Sequence, residues 1–166
     1  MKPVCLVLGA GAGIGGTVAA KFASEGYHSC LCRRSDQEGL DRLVKGIEDE
    51  GGSANGYLIN VIEDNVIEDL INTIESDVGP IEVVVYNLGA QTGMKLLKDT
   101  THKEFEWGWR MASLGLFRVA KVLCPIMKER GRGTILVTSA TAAMRGNATQ
   151  HSHAAAMGAR RMLCQS

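Results

Sequence analysis

The 166-residue chain has little of what marks a nucleic-acid, membrane or disulfide-held protein. Neither sign of charge is in surplus, since 18 Lys and Arg balance 18 Asp and Glu. Without a summed positive field nothing draws in a phosphate backbone or an anionic lipid surface, so no nucleic acid and no membrane is expected as a partner. No stretch approaches the ~20 apolar residues of a membrane span. The run Val4 to Leu8 after Lys2 ends at Gly9, too short for the apolar core of a signal peptide. A cytoplasmic location is the resulting expectation. The five cysteines (Cys5, Cys30, Cys32, Cys124 and Cys164) are odd in number, include no CxxC pair and mostly lie inside apolar runs. They read as reduced core residues. His28, Cys30 and Cys32 alternate along one predicted strand, which alone cannot build a tetrahedral zinc site, so no metal is expected. Aromatic residues are few, at 5%, and proline is scarce, at 3 residues.

Glycine is the exception to this scarcity. The chain has 20, well above the usual ~7% of residues, with no collagen-like period, so the excess must serve particular backbone positions. Several of them punctuate an alternating pattern. Val4 to Leu8 is a continuous apolar run ending at glycine, as expected of a parallel strand covered on both faces. Ile14, Val18 and Phe22 recur at helical spacing until Gly26. A second strand is predicted at Ser29 to Cys32, followed by a helix with Leu40, Leu43, Val44 and Ile47 on one face. A third strand around Gly56 to Val61 leads to a helix carrying Ile67, Leu70, Ile71 and Ile74, which Gly79-Pro80 ends. Ile81 to Tyr86 is the fourth strand. A long helical region from about Thr101 to Arg130, with a break expected near Gly108, precedes a fifth strand at Thr134 to Thr138. From about Gln150 the chain reads as helical again. Five strands alternating with crossover helices predict a single α/β domain over residues 1–166, a doubly wound parallel sheet of the Rossmann-like kind. Ligands of such sheets bind where the strands end.

The first strand ends in Gly9-Ala-Gly11-Ala-Gly13-Ile14-Gly15-Gly16. Backbone amides in such a loop, with the N-terminus of the next helix, can cradle a pyrophosphate that a Cβ would keep away. Two registers fit: GxGxxG over Gly11, Gly13 and Gly16, and GxxxGxG over Gly9, Gly13 and Gly15. The second begins where the strand ends and is preferred. A tight turn without a ligand is the alternative, because a lone glycine motif is weak. At the end of the second strand, where an acidic side chain would hold the ribose of NAD, stand Arg33 and Arg34. Two guanidiniums suit a 2′-phosphate, which favours NADP(H) over NAD(H); two solvated turn arginines are the other reading.

With these features the sequence resembles the short-chain dehydrogenase/reductase family. The carrying features are Gly9, Gly13 and Gly15, then Tyr86-Asn-Leu-Gly89 after the fourth strand where the family has Asn-Asn-Ala-Gly, and Gly133 to Ala140 on the fifth. Leu8 replaces a usual threonine and Asn60 a usual aspartate near the adenine. The resemblance implies a cofactor site formed by Gly9, Gly11, Gly13, Ile14, Gly15, Arg33, Arg34, Asn60, Val61, Asn87 and Gly89. It also implies hydride transfer between nicotinamide and a carbonyl or alcohol, a small-molecule substrate this sequence does not identify.

That chemistry needs a proton relay, and here the resemblance fails. The family's tyrosine position falls on His153, its lysine on Met157, its serine on Ala140 and its asparagine on Ala112. The mismatch does not depend on register: the last tyrosine is Tyr86 and the last lysine Lys128, so no Tyr-x-x-x-Lys pair exists beyond the fifth strand. Two readings follow. In one, His153 donates the proton, since imidazole titrates near neutrality without a lysine, and Ser139 or Thr141 holds the substrate oxygen. In the other, catalysis is lost and a cofactor-binding or interaction module remains, with His153 a packing residue. Phe105, Trp107 and Trp109 are expected in the core or a subunit contact rather than at a substrate mouth, and Arg145 is read as a solvated loop residue. Relative to the family the last strands are lacking. The chain is expected to be truncated at its C-terminus or else to be a short form completed by a partner. The resemblance further implies a homo-oligomer joined through the long helix and the last helix, over Phe117 to Met127 and Met157 to Ser166.

Overall fold

The structure, a computed structural model, describes residues 1–89 and 93–166. Five parallel strands form one sheet in the order β3-β2-β1-β4-β5. They are β1 (Val4–Leu8), β2 (His28–Arg33), β3 (Ser53–Leu58), β4 (Ile81–Tyr86) and β5 (Thr134–Val137). The helices are α1 (Ile14–Ser24), α2 (Gln37–Asp49), α3 (Val66–Asp77), α4 (His102–Trp109), α5 (Gly115–Arg130) and α6 (His151–Gln165). The doubly wound, Rossmann-like architecture expected from the alternation is therefore the one observed.

Both faces of the sheet are covered, and β1 shows why its sequence is apolar throughout. Val4, Leu6 and Leu8 face α3 and α5, where they meet Ile67, Ile71, Ile74, Leu116, Val119 and Leu123. Cys5 and Val7 face the opposite layer, packing with Ala19, Ala23, Leu31, Leu40 and Ile47 from α1, β2 and α2. A strand buried on both sides has no polar face to show. Each fully buried aliphatic side chain of this kind stabilises the fold by about 1.5–3 kcal/mol relative to exposure.

Two boundaries depart from expectation. β3 begins at Ser53 and ends at Leu58, so Asn60 and Val61 lie in the loop after the strand rather than within it. Gly51 turns the chain at φ +81° and the strand starts almost at once. As an edge strand, β3 has mostly exposed or half-buried residues, so its pattern carried little register information. The long helical region is not broken at Gly108, which is buried within α4. Its irregularity lies two residues on, a π-helical turn at Arg110–Leu114 joining α4 to α5. Of the cysteines, Cys5, Cys30 and Cys32 are buried as expected, whereas Cys124 and Cys164 are exposed on α5 and α6.

In the strand order, β1 lies between β2 and β4, and the direction of winding reverses between β1 and β4. Such a switch point leaves a crevice beyond the strand ends. Leu8 is paired with Cys32 on one side and with Tyr86 on the other, so the glycine loop, Arg33 and Asn87 leave the sheet side by side.

Candidate functional site: a glycine cradle beside a closed corner

At the end of β1 the chain turns away sharply. Gly9 adopts φ +95°, and a Cβ on it would sit 2.7 Å from the Asn87 carbonyl oxygen. A Cβ on Gly15 would run into the carbonyl oxygen of Gly9. The wider glycine register thus marks two positions where a side chain is excluded by backbone. Gly9 and Ala10 both donate their amides to the Cys32 carbonyl, at 2.9 Å each, and Asn87 Nδ2 donates to the Gly9 carbonyl at 3.1 Å. Asn87 therefore holds the loop in place. Gly11 and Gly13 face open space. No side chain caps α1 and no acidic residue stands in its first turn. The Gly16 and Thr17 amides are taken by the Gly11 and Gly13 carbonyls, which leaves the Ile14 and Gly15 amides and the positive end of the helix dipole to an anion, the requirement for a pyrophosphate cradle.

Next to the cradle a crevice is lined by Gly9, Arg33, Arg34, Asn60 and Val61, joined by Leu88 and Met111. Five of the predicted cofactor residues thus come together although they derive from the ends of three strands. Arg33 pairs with Asp36 at 2.9 Å, and Asp36 in turn accepts the Gly39 amide at 2.9 Å as the N-cap of α2. Arg34 is exposed and lies over the ring of Trp107, its guanidinium carbon 6.0 Å from the ring centroid. Asn60 donates to Glu63 at 3.0 Å. The loop after β3 is tied down by Arg110, donating to the Ile62 carbonyl at 3.2 Å, and by Arg118, donating to that of Glu63 at 2.8 Å.

On the other side of the strand ends, three of the four expected relay positions, Ala112, Ala140 and Met157, are brought together. Ala112, from the π-helical turn, packs with Ala156 and Met157 of α6, and Ala140 and Ala143 close over them. Ala112 is 0% and Met157 4% exposed. His153 is buried in the first turn of α6, at 9% exposure. Ser139 is exposed and lines a different space, a groove of about 300 Å³ beside β5 with Ile135, Val137, Arg160, Arg161 and Gln165. His153 does not line that groove.

A buried cation organises this corner. Arg160 is 1% exposed and donates Nε to the Ala112 carbonyl at 3.0 Å, one terminal nitrogen to Thr138 at 3.0 Å and the other to Leu88 at 2.7 Å. Its guanidinium also lies over the Tyr86 ring, 5.1 Å from the centroid. Tyr86 Oη donates to the Met111 carbonyl at 2.5 Å and fits because residue 115 is glycine, whose missing Cβ leaves the hydroxyl its place. Burial pushes the Tyr86 phenol well above its usual pKa, the Arg160 charge opposing this more weakly. Tyr86 is thus a poor proton donor near neutrality. The carbonyls of Met111 and Ala112 lie in the π-helical turn, where the ordinary helical ladder is interrupted, and these two side chains answer them.

The comparisons with known proteins agree with this geometry. A sequence model described as short chain dehydrogenase matches residues 3–166. The chain belongs to the short-chain dehydrogenase family. Among its relatives is a 3-oxoacyl-[acyl-carrier-protein] reductase of Thermotoga maritima, 30% identical over 154 residues that make up 92% of this chain and 61% of the relative. A short-chain dehydrogenase from Rhodopseudomonas palustris superposes with a TM-score of 0.92 at 30% identity, over 98% of this chain and 76% of that one. A gluconate 5-dehydrogenase from Burkholderia cenocepacia, crystallised with NADP and tartrate, superposes with a TM-score of 0.86 at 28% identity, over 97% of this chain and 62% of its own. The chain spans about three fifths of the first curated relative. No helix among the described residues is long and apolar enough to cross a membrane.

Within this member of the family, the role of Arg160 was not expected from the sequence, and Trp107, expected in the core or a subunit contact, lies instead beneath Arg34. Arg160 had a signal: His153, Ala156, Met157 and Arg160 fall at i, i+3, i+4 and i+7, so α6 places all four on its buried face. The pairing of Trp107 with Arg34 had none, because the two lie 73 positions apart in sequence on different elements. Phe105 and Trp109, at 45% and 43% exposure, lie outside the core, as does Phe117 at 47%.

Proposed function

We propose that this chain is an NADP(H)-binding member of the family whose proton-relay corner has become an apolar support, so that cofactor binding persists without the tyrosine-based reaction. The observation that carries the proposal is the packing of Ala112, Ala140, Ala156 and Met157 into one cluster beside an intact glycine cradle. Three of the four relay positions, Ala112, Ala140 and Met157, carry apolar side chains that pack together, and His153 stands at the fourth.

The residues present suit the cofactor. The amides of Ala12 to Gly15, in the loop and at the start of α1, would hold the pyrophosphate, with Asn87 fixing the loop through Gly9. Arg34 would meet a 2′-phosphate, while Arg33 neutralises Asp36, the nearest carboxylate on that turn. The crevice itself encloses only about 20 Å³, room for a water, so an adenosine would rest across its mouth against Val61 and Leu88. That a relative was crystallised with NADP is consistent with this choice. When bound, the nicotinamide supplies the hydride; the Tyr-x-x-x-Lys pair that would handle the accompanying proton does not occur after the fifth strand.

A second reading keeps His153 as that partner. It is favoured by the position of His153 on the same face of α6 as Met157 and Arg160, at the strand ends. The test is NADPH consumption over a panel of ketones and aldehydes, with His153→Phe alongside. We expect no turnover above background with either protein. Turnover by the unaltered protein that His153→Phe abolishes would replace the proposal with the His153 relay.

A further inference from the structure

The two arginines at the end of β2 look equivalent in sequence, but the structure gives them different tasks. Arg33 is committed: it is bound to Asp36, which is itself bound to the α2 N-terminus. Arg34 has no carboxylate or hydrogen-bond acceptor among the described residues; its contact is the face of Trp107, from α4. It also lines the mouth of the crevice that holds Gly9, Asn60 and Val61.

An exposed arginine side chain ordinarily samples many rotamers and must give up that freedom to bind a ligand. Lying over the Trp107 ring, 6.0 Å from its centroid, restricts it through an electrostatic attraction that uses none of its N–H donors. The contact therefore leaves Arg34 restricted beside the crevice, with its donors still available to a ligand. The neighbouring negative charge, Asp36, is already offset by Arg33, so it does not oppose an anion there.

From this geometry we propose that Trp107 is a positioning residue for cofactor choice: by holding Arg34 it selects a nucleotide bearing a 2′-phosphate over one bearing a 2′-hydroxyl. The inference rests on the NADP(H) reading above and adds to it a residue from a distant helix. Trp107 touches Arg34, not the reacting atoms, so it acts on affinity for one cofactor and not on chemistry.

The experiment measures dissociation constants for NADPH and NADH, by calorimetry, for the unaltered protein and for Trp107→Leu, Trp107→Phe, Arg34→Met and the Trp107→Leu/Arg34→Met pair. Trp107→Leu is expected to weaken NADPH roughly two- to fivefold, the range of an exposed cation–π contact. NADH affinity is expected to stay unchanged, which also shows that the variant is folded. Trp107→Phe should recover most of the loss, and Trp107→Leu should have no further effect once Arg34 is methionine. Equal weakening of both nucleotides by Trp107→Leu, or the same effect with and without Arg34, would overturn the inference. If the unaltered protein does not prefer NADPH, the cofactor reading and this inference fall together. If Arg34→Met removes the preference while Trp107→Leu leaves NADPH binding intact, only the role of Trp107 is lost.

Discussion

Arg160 carries a full charge at 1% exposure, and no carboxylate lies within ion-pair distance of it among the described residues. Its partners are three carbonyls and an aromatic face. A buried charge is tolerated only when its donors are satisfied, and carbonyls from three separate segments do that here. Removing the guanidinium would leave the carbonyls of Leu88, Ala112 and Thr138 without this donor. Arg160→Met, close in length and apolar, should therefore lower unfolding free energy by about 2–4 kcal/mol. Denaturant unfolding checks this, and a loss under about 1 kcal/mol would mean that water replaces the guanidinium. Tyr86 belongs to the same unit: its hydroxyl, Gly115 and the π-helical turn fit only together. At this scale the glycine loop and the Arg33-Arg34 pair were legible in the sequence, because each is local and its residue types are restricted by backbone or charge. The partners of Arg34, Tyr86 and Arg160 were not, since each is set by tertiary packing.

Among the elements, α4 has the most explicit start signal. Thr101 accepts the Glu104 amide at 3.2 Å while Glu104 accepts the Thr101 amide at 2.9 Å, a reciprocal capping box. Lys95 also donates to Glu104. These contacts, with the Lys95 hydrogen bond the largest, hold the Glu104 carboxyl down at about 2 in the folded protein against an ordinary 4.5. A carboxylate lowered in this way adds stability above pH 4.5 and loses it as pH falls toward 2. Thermal unfolding followed from pH 6 to pH 2 should therefore show the unaltered protein ahead of Glu104→Gln near neutrality, with the gap closing below pH 4.5. A gap independent of pH would show that the charge contributes nothing. The element pattern itself was largely readable: runs between glycines gave β1 and β4, and single apolar faces gave α2 and α3. β3 was misplaced because an edge strand shows little alternation. The π-helical turn was invisible, since one inserted residue barely disturbs helical spacing.

For the whole molecule, the sheet order places the two halves of the site on either side of one switch point. The half on β1, β2 and β3 keeps its glycine cradle and its two arginines. The half built on the π-helical turn, β5 and α6 is closed by apolar side chains and clamped by Arg160. The fold and the first half follow from patterns that local sequence carries. The closed half was visible only as missing residues, and how the vacated positions are filled depended on α6 packing against the π-helical turn. The proposed binding half is tested most directly by calorimetric titration with NADPH and, separately, NADH. NADPH is expected to bind at a single site at least about tenfold tighter than NADH, as a charge-assisted contact of one guanidinium to phosphate implies. Absence of binding by both nucleotides, or equal affinity for the two, would contradict it.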